Sequence, residues 1–304
     1  NLKKLDNSEE ANHRRASRPF GENCGFTIAE STQYIVLMDD ELALELGADI
    51  HGAVSDVFIN ADGYKKSISA PGPGNYITMA KAVAAARAIV GEESVRNRSF
   101  IQAHGSSTPA NRVTESRIFD EVAKVFDIQD WPVSAVKAYV GHSLAPASGE
   151  QLMASLGVFK YGFIPGVKTI DKVADDVYDD RLNISTDDID KGAGNIDVAF
   201  LNSKGFGGNN ATATVLSPQV VSRMLAKRYS ADEIAVYEDK RAHTRAQAQA
   251  YDDAATNANF STIYHFGQDL IDENEIEIET GKIKVPGFAQ PIDLDLANPY
   301  EDMV

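Results

Sequence analysis

The apolar positions along this chain follow two rhythms. Short apolar runs that stop at polar or turn residues alternate with longer stretches in which apolar side chains recur every three or four positions. Ser99-Phe-Ile-Gln-Ala, Trp131-Pro-Val-Ser-Ala-Val and Asp197-Val-Ala-Phe-Leu-Asn are of the first kind and predict buried strands, the second over 133–136. Phe26-Thr-Ile-Ala and Tyr34-Ile-Val-Leu-Met, rich in β-branched and aromatic residues, predict strands too, as do 50–59 and 211–216. Helices are predicted over 39–46 with Gly47 as C-cap, over 76–90 with Asn75 as N-cap, over 112–126, and over 149–160 with Leu152, Leu156 and Phe159 on one side. Asn60-Ala-Asp-Gly and Pro71-Gly-Pro-Gly are turn chemistry, and 168–195 is acidic and irregular. Alternating strands and helices predict α/β layers.

Past Pro218 the pattern changes. Residues 220–249 form a charged helical stretch, and 274–285 alternate strictly, with Ile276, Ile278, Ile283 and Val285 on one face and Thr280-Gly281 at the centre. That is a β-hairpin pattern. The chain therefore divides at the sequence level into an α/β part, 1–218, and a C-terminal extension, 219–304. A lone hairpin does not keep such an apolar face in water, so the extension is expected to pack on the α/β part. Residues 1–19, with Lys3, Lys4, Arg14, Arg15 and Arg18, are expected to be a solvated lead-in.

Composition narrows the function classes. The chain has 304 residues, 43% hydrophobic and 24% charged, as in a soluble globular protein. Its net charge is −16, half of it from the 8 basic and 16 acidic residues of the extension. Such a charge argues against binding nucleic acid or an anionic membrane. No apolar stretch approaches the roughly 20 residues of a membrane span. Cys24 is the single cysteine, which excludes an internal disulfide and points to a reducing, cytoplasmic compartment. The charged start after Asn1 is not a signal peptide, and the absence of Met there reads as a processed or cut chain.

Three segments carry candidate chemistry: His104-Gly-Ser-Ser-Thr-Pro, Lys137-Ala-Tyr-Val-Gly-His142-Ser, and Lys204-Gly-Phe-Gly-Gly-Asn-Asn210. Each begins where a predicted strand stops, which is where open α/β sheets bind ligands. Two histidines at such positions are candidate acid–base groups or hydrogen-bond donors. Neither has Asp, Glu or Cys at metal-ligand spacing, so no metal site is expected. Cys24 has no histidine or helix start nearby in sequence and reads as a structural thiol.

Taken together, His104-Gly-Ser-Ser-Thr-Pro-Ala-Asn111 with Glu115, Lys137-x3-Gly141-His142-Ser, and Gly205-Phe-Gly-Gly-Asn-Asn210 resemble, in this order, the C-terminal half of the β-ketoacyl–acyl-carrier-protein synthases of the Cys-His-His type. Arg18-Pro-Phe and Cys24-Gly-Phe resemble the segment that precedes it, so the likeness covers about residues 7 to 216. Thiolases carry a late cysteine in this turn, where Phe206 stands, and the Cys-His-Asn type has asparagine in place of His142. The resemblance implies a thiolase-like fold of α/β/α/β/α layers, here mainly its C-terminal half, in a cytoplasmic homodimer. It implies a decarboxylative Claisen condensation in fatty-acid biosynthesis. A cysteine expected upstream of this chain takes an acyl group, and a malonyl thioester then attacks it with loss of CO2.

The roles carried over are these. His104 and His142 would stabilise the thioester oxygen and the enolate. Lys137, with Glu115 as its partner, would set the electrostatics. Ser106 and Thr108 would touch the phosphopantetheine arm. Phe206 would gate a substrate-binding turn made with Gly207, Gly208 and Asn210, whose backbone N–H groups serve the acyl oxyanion. The implied partners are acyl carrier protein and acyl and malonyl thioesters, with no separate cofactor, since the arm belongs to the substrate. An acidic carrier would need a local basic patch on a chain of net charge −16. Ala29-Glu30-Ser31 and Ser106-Ser107 depart from the family pattern and suggest a divergent branch. The extension lies outside the standard synthase and resembles the tail of bacterial synthases that start from acetyl-CoA. The rival reading is a non-catalytic synthase-like subunit that shapes the acyl cavity or binds the carrier. The presence of both histidines and Lys137 favours the catalytic one.

Overall fold

The uniformly apolar strands are buried on both sides, so their alternate side chains serve two separate cores. The computed structural model describes residues 12–65, 71–259, 261–262 and 264–303. In chain order the elements are α1 (Asp40–Leu46), β1 (Ala53–Ala61), α2 (Gly74–Asn97), β2 (Ser99–Gln102), α3 (Pro109–Phe126), β3 (Trp131–Ser134), α4 (Lys137–Val140), α5 (Ala147–Tyr161), β4 (Phe163–Ile164), β5 (Leu182–Asn183), β6 (Ile189–Asp190), β7 (Val198–Gly205), β8 (Asn209–Leu216), α6 (Pro218–Arg228), α7 (Ala231–Thr256), β9 (Glu277–Glu279), β10 (Lys282–Lys284) and β11 (Ile292–Asp293). Six strands form one sheet in the order β1-β8-β7-β2-β3-β5. The β1–β8 and β8–β7 pairs are antiparallel, and β7, β2, β3 and β5 run parallel.

Ile101, Val198 and Phe200 point to one face, against Met79 and Val83 of α2 and Ile118 and Phe119 of α3. Phe100, Ala199 and Leu201 point to the other, against Val158 and Phe159 of α5. Trp131 anchors the first core, its ring 5.7 Å from that of Phe200 and its indole N–H donating to Ser99 Oγ at 2.9 Å. The register sets Gln102 opposite both Ser134 and Leu201. The carboxyl ends of β7, β2 and β3 therefore lie side by side, and the residues that follow them leave the sheet at one edge.

Several expectations are corrected. Residues 26–29 contribute a single bridge, Ile28 to His142, and 34–38 form no strand, with Tyr34 92% and Val36 80% exposed. β-branched composition alone does not make a strand; these residues have no ladder partner among the described residues. Asn75 is not a cap: α2 begins at Gly74, and Asn75 is buried within its first turn. α2 also continues to Asn97 across a non-helical Gly91. α3 starts at Pro109, with Thr108 as the extended residue before it, because proline suits the first helical position. Lys137–Val140 is a helical turn, so the strand expected over 133–136 ends at Ser134. The lead-in is not wholly solvated, since Ser17 and Arg18 are buried; Lys3 and Lys4 lie outside the described residues.

Two compact units are present, Asn1–Arg245 and Ala246–Val304. The boundary expected at 218 falls inside the first, because α6 and the start of α7 join its core. Val220, Leu225 and Tyr237 are buried, the Tyr237 hydroxyl donates to Ala48 O at 2.9 Å, and Arg245 pairs with Asp49 at 2.7 Å. In the second unit β9 and β10 form the expected hairpin, with Ile283 opposite Ile278, and Ile278 is 74% exposed. No helix among the described residues is long and apolar enough to cross a membrane.

Candidate active site

Glu115 on α3 organises the loop that follows β2. Its carboxylate is fully buried and accepts from the backbone N–H of His104 (2.7 Å) and Gly105 (2.9 Å) and from the side-chain amides of Asn111 (2.8 Å) and Asn202 (2.7 Å). Four donors on two oxygens satisfy a buried carboxylate without an ammonium. The expected pairing of Glu115 with Lys137 is accordingly not made: Lys137 Nζ is buried with no hydrogen-bond partner.

His142 is set by the residue before it. Gly141 has φ 73° and ψ −160°, a region open to glycine, and a Cβ there would lie 2.9 Å from Thr27 O. The His142 N–H then donates to Thr27 O at 2.7 Å, and Ala29 N–H donates to His142 O at 3.1 Å. The two imidazoles meet edge to face, with ring centroids 5.2 Å apart.

Both rings are held in one tautomer. Lys204 N–H donates to His104 Nδ1 at 3.3 Å, and Leu144 N–H donates to His142 Nδ1 at 3.1 Å. A ring nitrogen that accepts carries no proton, so each neutral imidazole bears its hydrogen on Nε2. Burial holds the His104 pKa well below the usual histidine value, helped by the charges of Lys137 and Lys204 and by His142. Burial, then Lys137, pushes His142 down to about 4. Both rings are therefore neutral N–H donors at pH 7. Lys137, 1% exposed, is itself pushed by burial down to about 8, against the opposing charges of Glu115 and Glu150.

A cavity of about 510 Å³ opens over this pair, lined among others by His104, Ser106, Thr108, His142, Phe206 and Asn210. Ser106 Oγ and Thr108 Oγ1 lie 3.3 Å apart. Phe206 stands on the β7–β8 turn, 74% exposed. Gly207 (φ 84°) lies at the bend of that turn, and at Gly208 (φ 89°) a Cβ would come within 2.8 Å of Asp62 Oδ2. The Asn210 amide is spent within the protein, on Asp62 Oδ1 at 2.8 Å and Gly208 O at 3.0 Å. Cys24 is exposed and does not line the cavity. Among the described residues no group of three or more His, Cys, Asp or Glu is placed to hold a metal ion. A side chain as open as Phe206 contributes little to stability, so Phe206→Ala is expected to change unfolding free energy by no more than about 0.5 kcal/mol. On the gating role that the resemblance implies, acyl loading or condensation by the intact synthase should fall instead; an unchanged rate with a lowered melting temperature would make Phe206 a packing residue.

Sequence reasoning missed the supports. Gln151 of α5, wholly buried, donates through Nε2 to Gln102 O (3.0 Å), Ala103 O (2.8 Å) and Asn202 O (2.9 Å), and accepts from Ser203 Oγ at 2.9 Å. One amide thus ties the end of β2 to the end of β7. Asn75 exchanges two amide hydrogen bonds with Asn202, at 2.6 and 3.1 Å. The signal available was a polar residue on a small, apolar helix; nothing local named its partners.

Known proteins match the chain as follows. Residues 51–171 match the family described as the β-ketoacyl synthase C-terminal domain. The chain is 61% identical over 303 residues to the β-ketoacyl-[acyl-carrier-protein] synthase FabY of Pseudomonas aeruginosa, covering 100% of this chain and 48% of that protein. It superposes on the crystal structure of that ketosynthase with a TM-score of 0.93, covering 47% of the solved chain. It is 34% identical over 210 residues to 3-oxoacyl-[acyl-carrier-protein] synthase 2 of Synechocystis, covering 65% of this chain and 45% of the relative. A type II polyketide ketosynthase, solved in complex with its acyl carrier protein, shares the fold at 24% identity and a TM-score of 0.57, over 69% of this chain and 49% of that one. The chain spans about half the length of the curated relatives it matches.

Proposed function

Because the chain carries the C-terminal domain of a β-ketoacyl synthase, with a thiolase-like fold, we propose that it supplies the oxyanion-stabilising half of a β-ketoacyl-acyl-carrier-protein synthase acting in fatty-acid biosynthesis. The observation that carries this is the pair of neutral imidazoles, each with Nδ1 occupied by a backbone N–H and Nε2–H left to donate. Two fixed donors in a partly dry cavity suit a thioester oxygen that becomes an enolate oxygen.

In this reading a cysteine thiolate, contributed by the part of the synthase outside this chain, attacks the acyl thioester and expels the carrier's thiolate, which takes a proton from solvent. Malonyl thioester then enters. Its carboxylate leaves as CO2, and the bond's electron pair becomes the enolate that His104 and His142 hold through Nε2–H. The enolate carbon attacks the acyl-cysteine carbonyl, the C–S bond breaks, and the thiolate is regenerated. Lys137 acts on the site through its charge, Ser106 and Thr108 receive the phosphopantetheine arm, and the Phe206 turn with Gly207, Gly208 and Asn210 gates and backs the acyl site. The arm belongs to the substrate and no separate cofactor is required. In the same reading the synthase works in the cytoplasm as a homodimer with acyl carrier protein, and relatives named as acyl-carrier-protein synthases support the carrier as partner.

The test is a condensation assay with acyl and malonyl carrier thioesters, with intact mass recorded. The synthase that contains this chain should form β-ketoacyl product, whereas residues 1–304 alone should not, because neither imidazole replaces the covalent thioester. A homogeneous monomer of the 304 residues that condenses would overturn the division of labour and bring Cys24 back as nucleophile. No condensation by the whole synthase would favour the non-catalytic subunit.

A further inference from the structure

One charge in the cavity has no use in the mechanism above. Two lysines line it, Lys65 and Lys204. Lys65 pairs with Asp62 at 2.9 Å. The Lys204 ammonium has no hydrogen-bond or ion-pair partner among the described residues, although its backbone N–H serves His104.

Two carboxylates act on Lys204 from a distance, Glu115 and Asp62. Both are already bonded out. Glu115 holds the four donors described above. Asp62 accepts from Gly74 N–H at 3.0 Å, Asn210 Nδ2 at 2.8 Å and Lys65 Nζ at 2.9 Å. The neighbouring histidines, neutral at pH 7 and with Nδ1 already accepting a backbone N–H, offer the ammonium neither opposite charge nor a free ring acceptor. Burial is the largest influence on Lys204 and lowers its pKa, as for a cation with too little opposite charge around it. A half-buried lysine on the wall of an open cavity, with both carboxylates that act on it already engaged, is an arrangement completed by an anion.

Resting on the synthase reading, we propose that Lys204 is an anion-binding subsite of this cavity that takes the charged oxygens of a thioester ligand, a carboxylate or a phosphate. Both sources occur in the proposed substrates: a malonyl thioester carries a carboxylate, and the carrier arm carries a phosphate. A carboxylate partner would make the subsite selective for the extender, since the acyl donor has no such group. It would also favour turnover, since the charge leaves as CO2 and the product is no longer held there.

The experiment uses the whole synthase and three unreactive amide-linked analogues: acetyl-pantetheine without an anion, malonyl-pantetheine with a carboxylate, and acetyl-phosphopantetheine with a phosphate. Kd is measured by calorimetry for the wild type, Lys204→Met and Lys204→Arg. Lys204→Met should weaken the analogue bearing the recognised anion by about 10-fold or more, as for loss of a charge-assisted hydrogen bond. It should leave acetyl-pantetheine within about twofold, which also shows that the variant is folded, and Lys204→Arg should restore most of the loss. A loss confined to malonyl-pantetheine assigns the carboxylate, and one confined to the phosphorylated analogue assigns the phosphate. Wild-type binding with no selective loss in Lys204→Met overturns the subsite and leaves the synthase reading standing. Failure of the wild type to bind any analogue overturns both.

Discussion

Lys137→Met should make the protein more stable at pH 7 and less active. The ammonium of Lys137 is 1% exposed and makes no hydrogen bond. Burial drags its pKa from 10.5 to about 8. A shift of that size corresponds to an upper limit of about 3 kcal/mol against the charged fold. Glu115 and Glu150 lose a compensating charge in the variant, so the expected gain is about 1–3 kcal/mol.

The sign follows from proton counts. Between about pH 8 and 10.5 the unfolded chain holds more protons on this lysine than the folded one does, so wild-type stability rises with pH across that window. Below pH 8 the penalty is complete. Methionine has no such titration. Urea unfolding of the synthase and its Lys137→Met variant at pH 7 and at pH 10 should therefore show a gap that narrows at the higher pH. Condensation by the variant should fall, because His104 and His142 both lie in the field of this charge. A variant less stable at pH 7 would mean that Lys137 holds the fold together and is not kept for the chemistry.

The case of Lys137 also illustrates what a sequence can reveal. Its place after a buried strand, and those of His104 and the Phe206 turn, were legible because all three follow runs whose periodicity is local. Parallel pairing of β3, β2 and β7 then brings the three segments to one edge with no further information. What was not legible depends on long-range partners. Tyr34–Met38 has the composition of a strand but no neighbour to pair with among the described residues. Asn75 has the chemistry of a helix cap, yet its partner Asn202 lies 127 residues away. Glu115 was legible as an acid near the site, but its four donors, which make it a clamp on the loop, come from three separate segments. Tyr237 looks like part of a charged helix until its contact with Ala48 draws it into the first unit.

The second large effect is expected at His142. In the proposed mechanism it contributes a neutral N–H at Nε2, not a titrating base. Removing that donor in His142→Ala should lower malonyl decarboxylation by about 10²–10³-fold, the usual loss for one oxyanion donor. His142→Asn should retain a measurable part of the activity, since an amide N–H can donate toward the same region. The pH profile separates the two roles. With the pKa pushed down to about 4, the imidazole stays neutral through the range where an ordinary histidine titrates. The decarboxylation rate should therefore be flat across pH 6.5 in the wild type. On the acid side it should fail as pH drops through about 4, when a proton on Nδ1 displaces the Leu144 N–H and unseats the ring. An inflection near pH 6.5 that disappears in His142→Asn would make His142 a general base and remove the oxyanion reading of the pair.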